Sequence, residues 1–238
     1  MKKTYHLCLS AGDEVMFRDL EDYNRGFNCL ALALYKTDST GLVESFMSTH
    51  SHQLSQTSDP AGLMYHFRLA YSMYFNRKYH RQGKLGEDSH FTMEVVGYNH
   101  TLAAASYVLR NALHHGVAPL PYAYPHCSAN SIFMAELGKT PCSTHIDRRH
   151  YRKHIGKTAE YPDSYKMNEN GKANYRKLSD IDICTEIDRN ILPQYGKPSV
   201  YMLSRQEKQK IAEHLYRNLH IPEEQIKRCL ALSYNSLH

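Results

Sequence analysis

The chain reads as an α+β protein: an antiparallel sheet with helices packed on it, plus a small helical C-terminal unit. Three observations predict this. Stretches of strand character alternate with stretches of helical apolar spacing over the first 115 residues. Glycines and prolines fall at the joins, as at Gly83, Gly86, Gly116 and Pro119. A capping box and a run of apolar residues four apart then close the chain.

Tyr5–Ser10 reads as the first strand. Asp19 to Leu34 carries Leu20, Phe27, Leu30 and Leu34 at helical spacing, with Asp19 or Asn24 as its cap. Gly41–His52 is β-rich and places His50 and His52 near its end. Ala61 to Tyr79 sets Leu63, Phe67, Ala70, Tyr71, Tyr74 and Phe75 on one side of a helix. His90–Val96 alternates like a strand, and a helix from Asn99 or Thr101 runs to His115 and stops at Gly116. Pro119–Pro125 is extended, and residues 136–200 show little apolar periodicity. Ser204 and Glu207 then form the capping box, followed by Ile211, Leu215 and Leu219. Pro222 sits at a first helical position, ahead of Ile226 and Leu230. These two helices make either a helix-turn-helix that reads duplex DNA or a hairpin packed on the main body. Glu223 and Glu224, which would face phosphates, favour the hairpin. The expected organisation is a domain over 1–135, a basic linker with short elements over 136–200, and a helical unit over 201–238.

With 42% hydrophobic and 22% charged residues, the composition is globular and excludes disorder throughout. No run approaches the ~18 apolar residues of a membrane span, and Met1–Leu7 lacks the apolar region of a secretory leader. The six cysteines form no Cys-x-x-Cys pair, which argues for a reducing cytoplasm and against a zinc ribbon or disulfide frame. The net charge of +5 is unevenly spread. Arg148, Arg149, Arg152, Lys153 and Lys157 open a basic stretch that continues to Lys177, interleaved with Tyr151, Tyr161, Tyr165 and Tyr175. Cations neutralise phosphates and tyrosine rings stack on unpaired bases, so the stretch fits a nucleic-acid path; a solvated linker has the same composition.

The chemistry-bearing residues are His50 and His52, one apart on a strand, and Tyr107 and Asn111, four apart on a helix. Residues i and i+2 of a strand share a face, as do i and i+4 of a helix. Two imidazoles can therefore face a cation, with an amide oxygen as third ligand and a phenol alongside. Taken alone the histidine pair is weak, because sixteen histidines in 238 residues give about one such pair by chance. The ordered combination is far more specific.

Four stretches carry a resemblance. Met47–Leu54 is similar to a His-hydrophobic-His strand, and Tyr74–Leu85 to a helix end with Asn-Arg followed by Arg-x-Gly-x-Leu. Tyr107–Val117 is similar to Tyr-Ile-x-x-Asn-Pro-x-x-x-Gly-Leu, and Pro121–Ser128 to Pro-x-x-Tyr-x-x-Ser-Ser. Together they resemble the REP-associated tyrosine transposases of the single-tyrosine HUH endonuclease superfamily, closely over a third of the chain and loosely over 1–135. The resemblance implies a ferredoxin-like HUH core, a divalent Mg²⁺ or Mn²⁺ held by His50, His52 and Asn111, and Tyr107 as nucleophile. It implies transposition-type chemistry on single-stranded or hairpin DNA, through a 5′-phosphotyrosine and a free 3′-OH. It further implies a nucleoid-associated cytoplasmic protein, monomer or homodimer, with no membrane partner. Non-catalytic DNA binding on the same scaffold, or a replication initiator or relaxase, are the alternatives. Three departures stand out: Ser51 replaces a bulky hydrophobic residue, Ala112 replaces the proline and should leave the helix unkinked, and tryptophan is absent.

Overall fold

The computed structural model describes residues 1–86, 91–136 and 178–234. Strand β1 (Lys3–Ser10) leads into helix α1 (Leu20–Lys36), strands β2 (Thr40–Phe46) and β3 (His50–Thr57), helix α2 (Pro60–Tyr79) and strand β4 (Phe91–Val95). The four strands pair antiparallel in the order β2-β3-β1-β4, so the βαββαβ unit has the ferredoxin-like arrangement and the chain is α+β.

Local chemistry accounts for these elements. Asp19 caps α1 by accepting from the Asp22 N–H at 2.9 Å, and Asp59 caps α2 by accepting from Gly62 N–H at 2.8 Å. Gly26 lets α1 pack closely on Phe17 and on Phe46 of β2: a Cβ there would lie 2.6 and 3.0 Å from their rings. The β-rich stretch expected over Gly41–His52 is two strands rather than one. The turn at Met47–Thr49 separates them, with Met47 N–H donating to the His50 carbonyl at 2.7 Å. Its outward carbonyls are taken by Ala11 and Met16, whose N–H groups donate to Thr49 and Ser48 at 2.9 and 2.8 Å. The turn holds no glycine, proline or asparagine, and Ser48 is its one weak local signal. His50 therefore begins β3 instead of ending a longer strand.

Each sheet face carries its own core. Leu7, Leu9 and Phe46 pack with Leu63, Phe67, Tyr71 and Phe75 of α2. On the other face Val43, Leu54 and Val95 pack under Ala104, Ala105, Val108 and Leu109 of helix α3 (Tyr98–Leu109). A short helix α4 (Asn111–His114) follows, and α5 (Ser128–Glu136) lies beyond a 3₁₀ turn at Pro121–Ala123. The helix expected to run unkinked to His115 breaks at Arg110, whose φ of −92° and ψ of 1° leave helical values despite Ala112. Gly116, at φ 63°, ends it as its left-handed freedom predicts. The segment after it seals edge strand β2: Phe46 N–H donates to His126 O at 2.9 Å, Tyr124 Oη to Phe46 O at 2.8 Å, and Glu44 N–H to Ser128 Oγ at 2.9 Å.

The chain is helical again from Asp180, a longer run than the reading of 136–200 anticipates. Helix α6 (Asp180–Glu186) starts from a Ser179–Asp182 capping box, passes through a π-turn at Ile187–Ile191, and ends as α7 (Leu192–Tyr195). Its Ile183, Ile187 and Ile191 recur at helical spacing and are buried. Helices α8 (Arg205–Leu219) and α9 (Glu223–Cys229) follow, and α8 begins at the Ser204–Glu207 box. Ile211, Leu215, Ile226 and Leu230 of this pair join the same core as α1 and α2. That makes the pair a hairpin packed on the main body.

Polar anchors fix the junction. Arg18 is fully buried; its Nε and Nη2 donate to Asp188 at 3.0 and 2.7 Å, and Nη1 donates to Cys229 O at 2.8 Å. Removing one partner of a buried, hydrogen-bonded ion pair strands the other. Asp188→Asn, which leaves the buried Arg18 charge uncompensated, is expected to lower unfolding stability by about 3–5 kcal/mol in urea titrations. Arg18→Met leaves only the partly exposed Asp188 without its partner and should cost less than loss of the carboxylate.

Candidate functional site

Strand alternation builds one wall of the site. In the β1–β3 register Cys8 pairs with His52 and Ser10 with His50, so His6, Cys8, His50 and His52 all project onto the α3 face. Ser51 projects the other way, between the sheet and its helices. It is fully buried, and its hydroxyl has no hydrogen-bond partner.

Helices α3 and α4 supply the opposite wall. Tyr107 stands at 43% exposure with its ring centroid 5.3 Å from His52 and 5.6 Å from His6. Asn111 is fully buried, and its Oδ1 lies 3.1 Å from His50 Nε2. The structure thus brings together His50, His52, Tyr107 and Asn111. Arg148, Arg149, Arg152, Lys153 and Lys157, with the interleaved tyrosines, lie outside the described residues.

Sequence reasoning missed four neighbours. His6 Nε2 is 3.0 Å from His52 Nδ1, and Thr49 Oγ1 is 3.0 Å from His50 Nδ1. The His115 ring lies 5.0 Å from His50, and the His114 ring 5.9 Å from Tyr107. His6 had one available signal, its place two residues before Cys8 on a strand; which strand it faces is a tertiary fact. His114 and His115 lie one turn beyond Asn111 and were legible as its helical neighbours.

Burial sets the electrostatics. His52 is pushed down to about 3, first by burial and then by the surrounding imidazoles of His50, His6, His115 and His114. His50 is lowered by burial, opposed by its bond to Asn111, and His6 is lowered by burial. At neutral pH these rings are uncharged, the form that donates a lone pair to a metal. The Tyr107 phenol is raised, by burial and then by Cys8, so the protein alone holds it protonated.

The donor set fits a divalent cation. Both histidines have Nδ1 engaged by protein groups, the outer contact that ligating imidazoles commonly show. The 3.1 Å between His50 Nε2 and Asn111 Oδ1 matches the about 3 Å edge between adjacent ligands bound at ~2.1 Å. The 5.1 Å between the His50 and His52 ring centroids matches the about 5 Å expected of two imidazoles on one ion. The Asn111 Nδ2 is buried without a partner, which costs about 1–3 kcal/mol, so this amide is not placed for stability. Among the described residues no three His, Cys, Asp or Glu side chains gather as a metal cluster; the set is two imidazoles and an amide.

Space opens on both sides. A hollow of about 440 Å³ is lined by His6, His52, Phe91, Met93, His100 and Tyr107. A cleft of about 780 Å³ is lined by Ser10, Thr49, His50, His115, Asp180 and Lys227. The histidine pair spans the two, with Tyr107 at the hollow and α9 along the cleft.

No family model matches the chain, and no curated protein matches it. A solved structure of a REP-associated tyrosine transposase bound to a REP hairpin is similar over 62% of this chain and 88% of that one, at 10% identity and a TM-score of 0.48. No helix among the described residues is long and apolar enough to cross a membrane.

The lowered histidines make stability depend on pH. Unfolded, each titrates near 6.5; folded, His52 holds its proton only below about 3, and His126, buried against Tyr23, only below about 4. Between those values the unfolded chain binds more protons, so metal-free stability is full above pH 6.5 and falls as the pH drops towards 3. The slope is at most about 1.4 kcal/mol per pH unit for each group. Urea midpoints measured from pH 7.5 to 4 should show it, with a shallower slope in His52→Gln.

Proposed function

We propose that this chain is a metal-dependent endonuclease and strand transferase for single-stranded or hairpin DNA, a transposase-type activity with Tyr107 as nucleophile. The observation that carries it is the convergence of His50, His52 and Asn111 beside Tyr107. The buried Asn111 amide, whose nitrogen is left unpaired while its oxygen faces His50, has no account in packing and supports the same reading.

His50 and His52 would hold the cation through Nε2, and Asn111 through Oδ1. Imidazoles suit borderline cations while an amide oxygen suits hard ones, so the set fits Mn²⁺ better than Mg²⁺. When bound, the cation supplies charge neutralisation at a phosphate and lowers the cost of a phenolate nearby.

Tyr107 is partly exposed at the hollow, from which a DNA strand would reach its Oη. Attack forms the Oη–P bond as the P–O3′ bond breaks; the phenol gives up its proton and the departing 3′ oxygen takes one. A 5′-phosphotyrosine and a free 3′-OH result, and because the linkage remains a phosphodiester, another 3′-OH can reverse the step and join strands. The hollow's Phe91 and Met93, exposed beside Tyr107, offer apolar surface to an unpaired base. Arg148, Arg149, Arg152, Lys153 and Lys157 would neutralise flanking phosphates.

The test is a denaturing gel of labelled hairpin oligonucleotides incubated with the protein and Mn²⁺. A covalent adduct is expected from the wild-type chain, none from Tyr107→Phe and none with chelator. His50→Ala and Asn111→Leu should lower its rate at least about 100-fold. Asn111→Leu removes an unpaired amide nitrogen but also the hydrogen-bond partner of His50 Nε2, so its stability should stay within about 1–2 kcal/mol of wild type. Hairpin binding that survives in every variant without any adduct would instead mark a non-catalytic DNA-binding protein.

A further inference from the structure

We infer that His6, on the strand beside the histidine pair, is a positioning residue that fixes the tautomer of His52 so that its Nε2 can bind the cation; this rests on the metal reading above. His6 Nε2 and His52 Nδ1 are 3.0 Å apart and both side chains are buried, so one nitrogen of the pair carries the shared hydrogen. Two arrangements satisfy that bond. If His6 donates, His52 accepts at Nδ1, carries its proton on Nε2 and has no lone pair left for a metal. If His6 carries its own proton on Nδ1, its Nε2 accepts from His52 Nδ1–H, and His52 Nε2 is a bare donor. Only the second arrangement makes His52 a ligand.

His50 is held differently. Its Nδ1 meets the Thr49 hydroxyl, which can donate or accept, and without a metal its Nε2–H donates to Asn111 Oδ1. At His52 the shared hydrogen couples the tautomer to that of His6, whose ring is held on two further sides. Phe91 lies 5.4 Å from it edge-on, and Tyr107 lies 5.6 Å away. One side chain thereby touches both the second ligand and the nucleophile's ring. The β1–β3 register, in which Cys8 faces His52, places His6 diagonally beside it.

Two measurements on the full chain test this. In metal-free protein with ¹⁵N-labelled histidine, the imidazole shifts of His52 should report a protonated Nδ1 and a bare Nε2. In His6→Leu the two tautomers should mix. Mn²⁺ titrations followed by electron paramagnetic resonance should show affinity reduced about 10–100-fold in His6→Leu. His6→Gln, whose amide oxygen accepts the same hydrogen, should bind within a few-fold of wild type, which a merely structural role would not require. A proton on His52 Nε2 in the wild type, or equal Mn²⁺ affinity in wild type and His6→Leu, overturns the inference even if His6→Leu folds poorly, since the wild-type tautomer is decisive by itself. Failure of the underlying metal reading looks different: wild type and His50→Ala would then bind Mn²⁺ equally weakly.

Discussion

The site depends on one constraint, the register between β1 and β3. Side chains alternate with a period of two, so a slip of a single residue would send His50 and His52 into the core between sheet and α2. The register is held from both ends. The Met47–Thr49 turn gives its carbonyls to Ala11, which follows β1 directly, and to Met16 in the loop beyond it. At the far end Lys3 stands opposite Thr57. Between them the pairing sets Cys8 against His52 and Ser10 against His50, and α3 and α4 cover that face. The stretch after α4 then locks edge strand β2, so the wall carrying the histidines is braced on its outer side by Tyr124 and Ser128.

Those braces explain two of the sequence motifs in structural terms. The Arg-x-Gly-x-Leu stretch after α2 is a loop clasp. Arg81 donates to the Lys84 carbonyl at 2.9 Å and pairs with Glu14 at 3.1 Å, and Asn76 Nδ2 donates to the Gly83 carbonyl at 2.7 Å. Tyr124 and Ser128 are edge fasteners. Neither set touches the histidines or Tyr107, so their contribution to any activity runs through the geometry of the sheet.

Legibility followed the range of the physics. The caps at Asp19 and Ser204, the stop at Gly116 and the periodicity of α2 are local, and the chain states them outright. The same local signals mark α6, where Ser179 and Asp182 cap a helix carrying Ile183, Ile187 and Ile191, but polar neighbours dilute the pattern. The turn at Met47–Thr49 is held by the Ala11 and Met16 N–H groups and offers only Ser48 as a local turn signal, and the break at Arg110 carries no glycine or proline. The pairing of His50 with Asn111 was readable because strand and helix periodicities each put a donor on one face. The partnership of His6 with His52 was not, because it depends on which strands lie side by side.

Two kinds of buried polar cluster distinguish architecture from site. Asp22 accepts from the Arg18 N–H, Tyr74, Lys78 and Tyr79 at 2.7–2.9 Å. Asp180 accepts from Arg228 twice, from Gln225 and from Ser48 at 2.6–2.9 Å. In these the carboxylate is saturated, as a buried charge must be if it is to hold a fold together. The histidine cluster is built differently. Its rings meet one another and a phenol rather than counter-charges, its amide leaves a nitrogen unpaired, and Ser51 behind it has an idle hydroxyl. Each is a local violation that packing alone would remove, and such violations concentrate where a surface is shaped for a ligand. A cluster kept for stability would resemble Asp22; this one leaves polar capacity unused beside Tyr107 and the cleft.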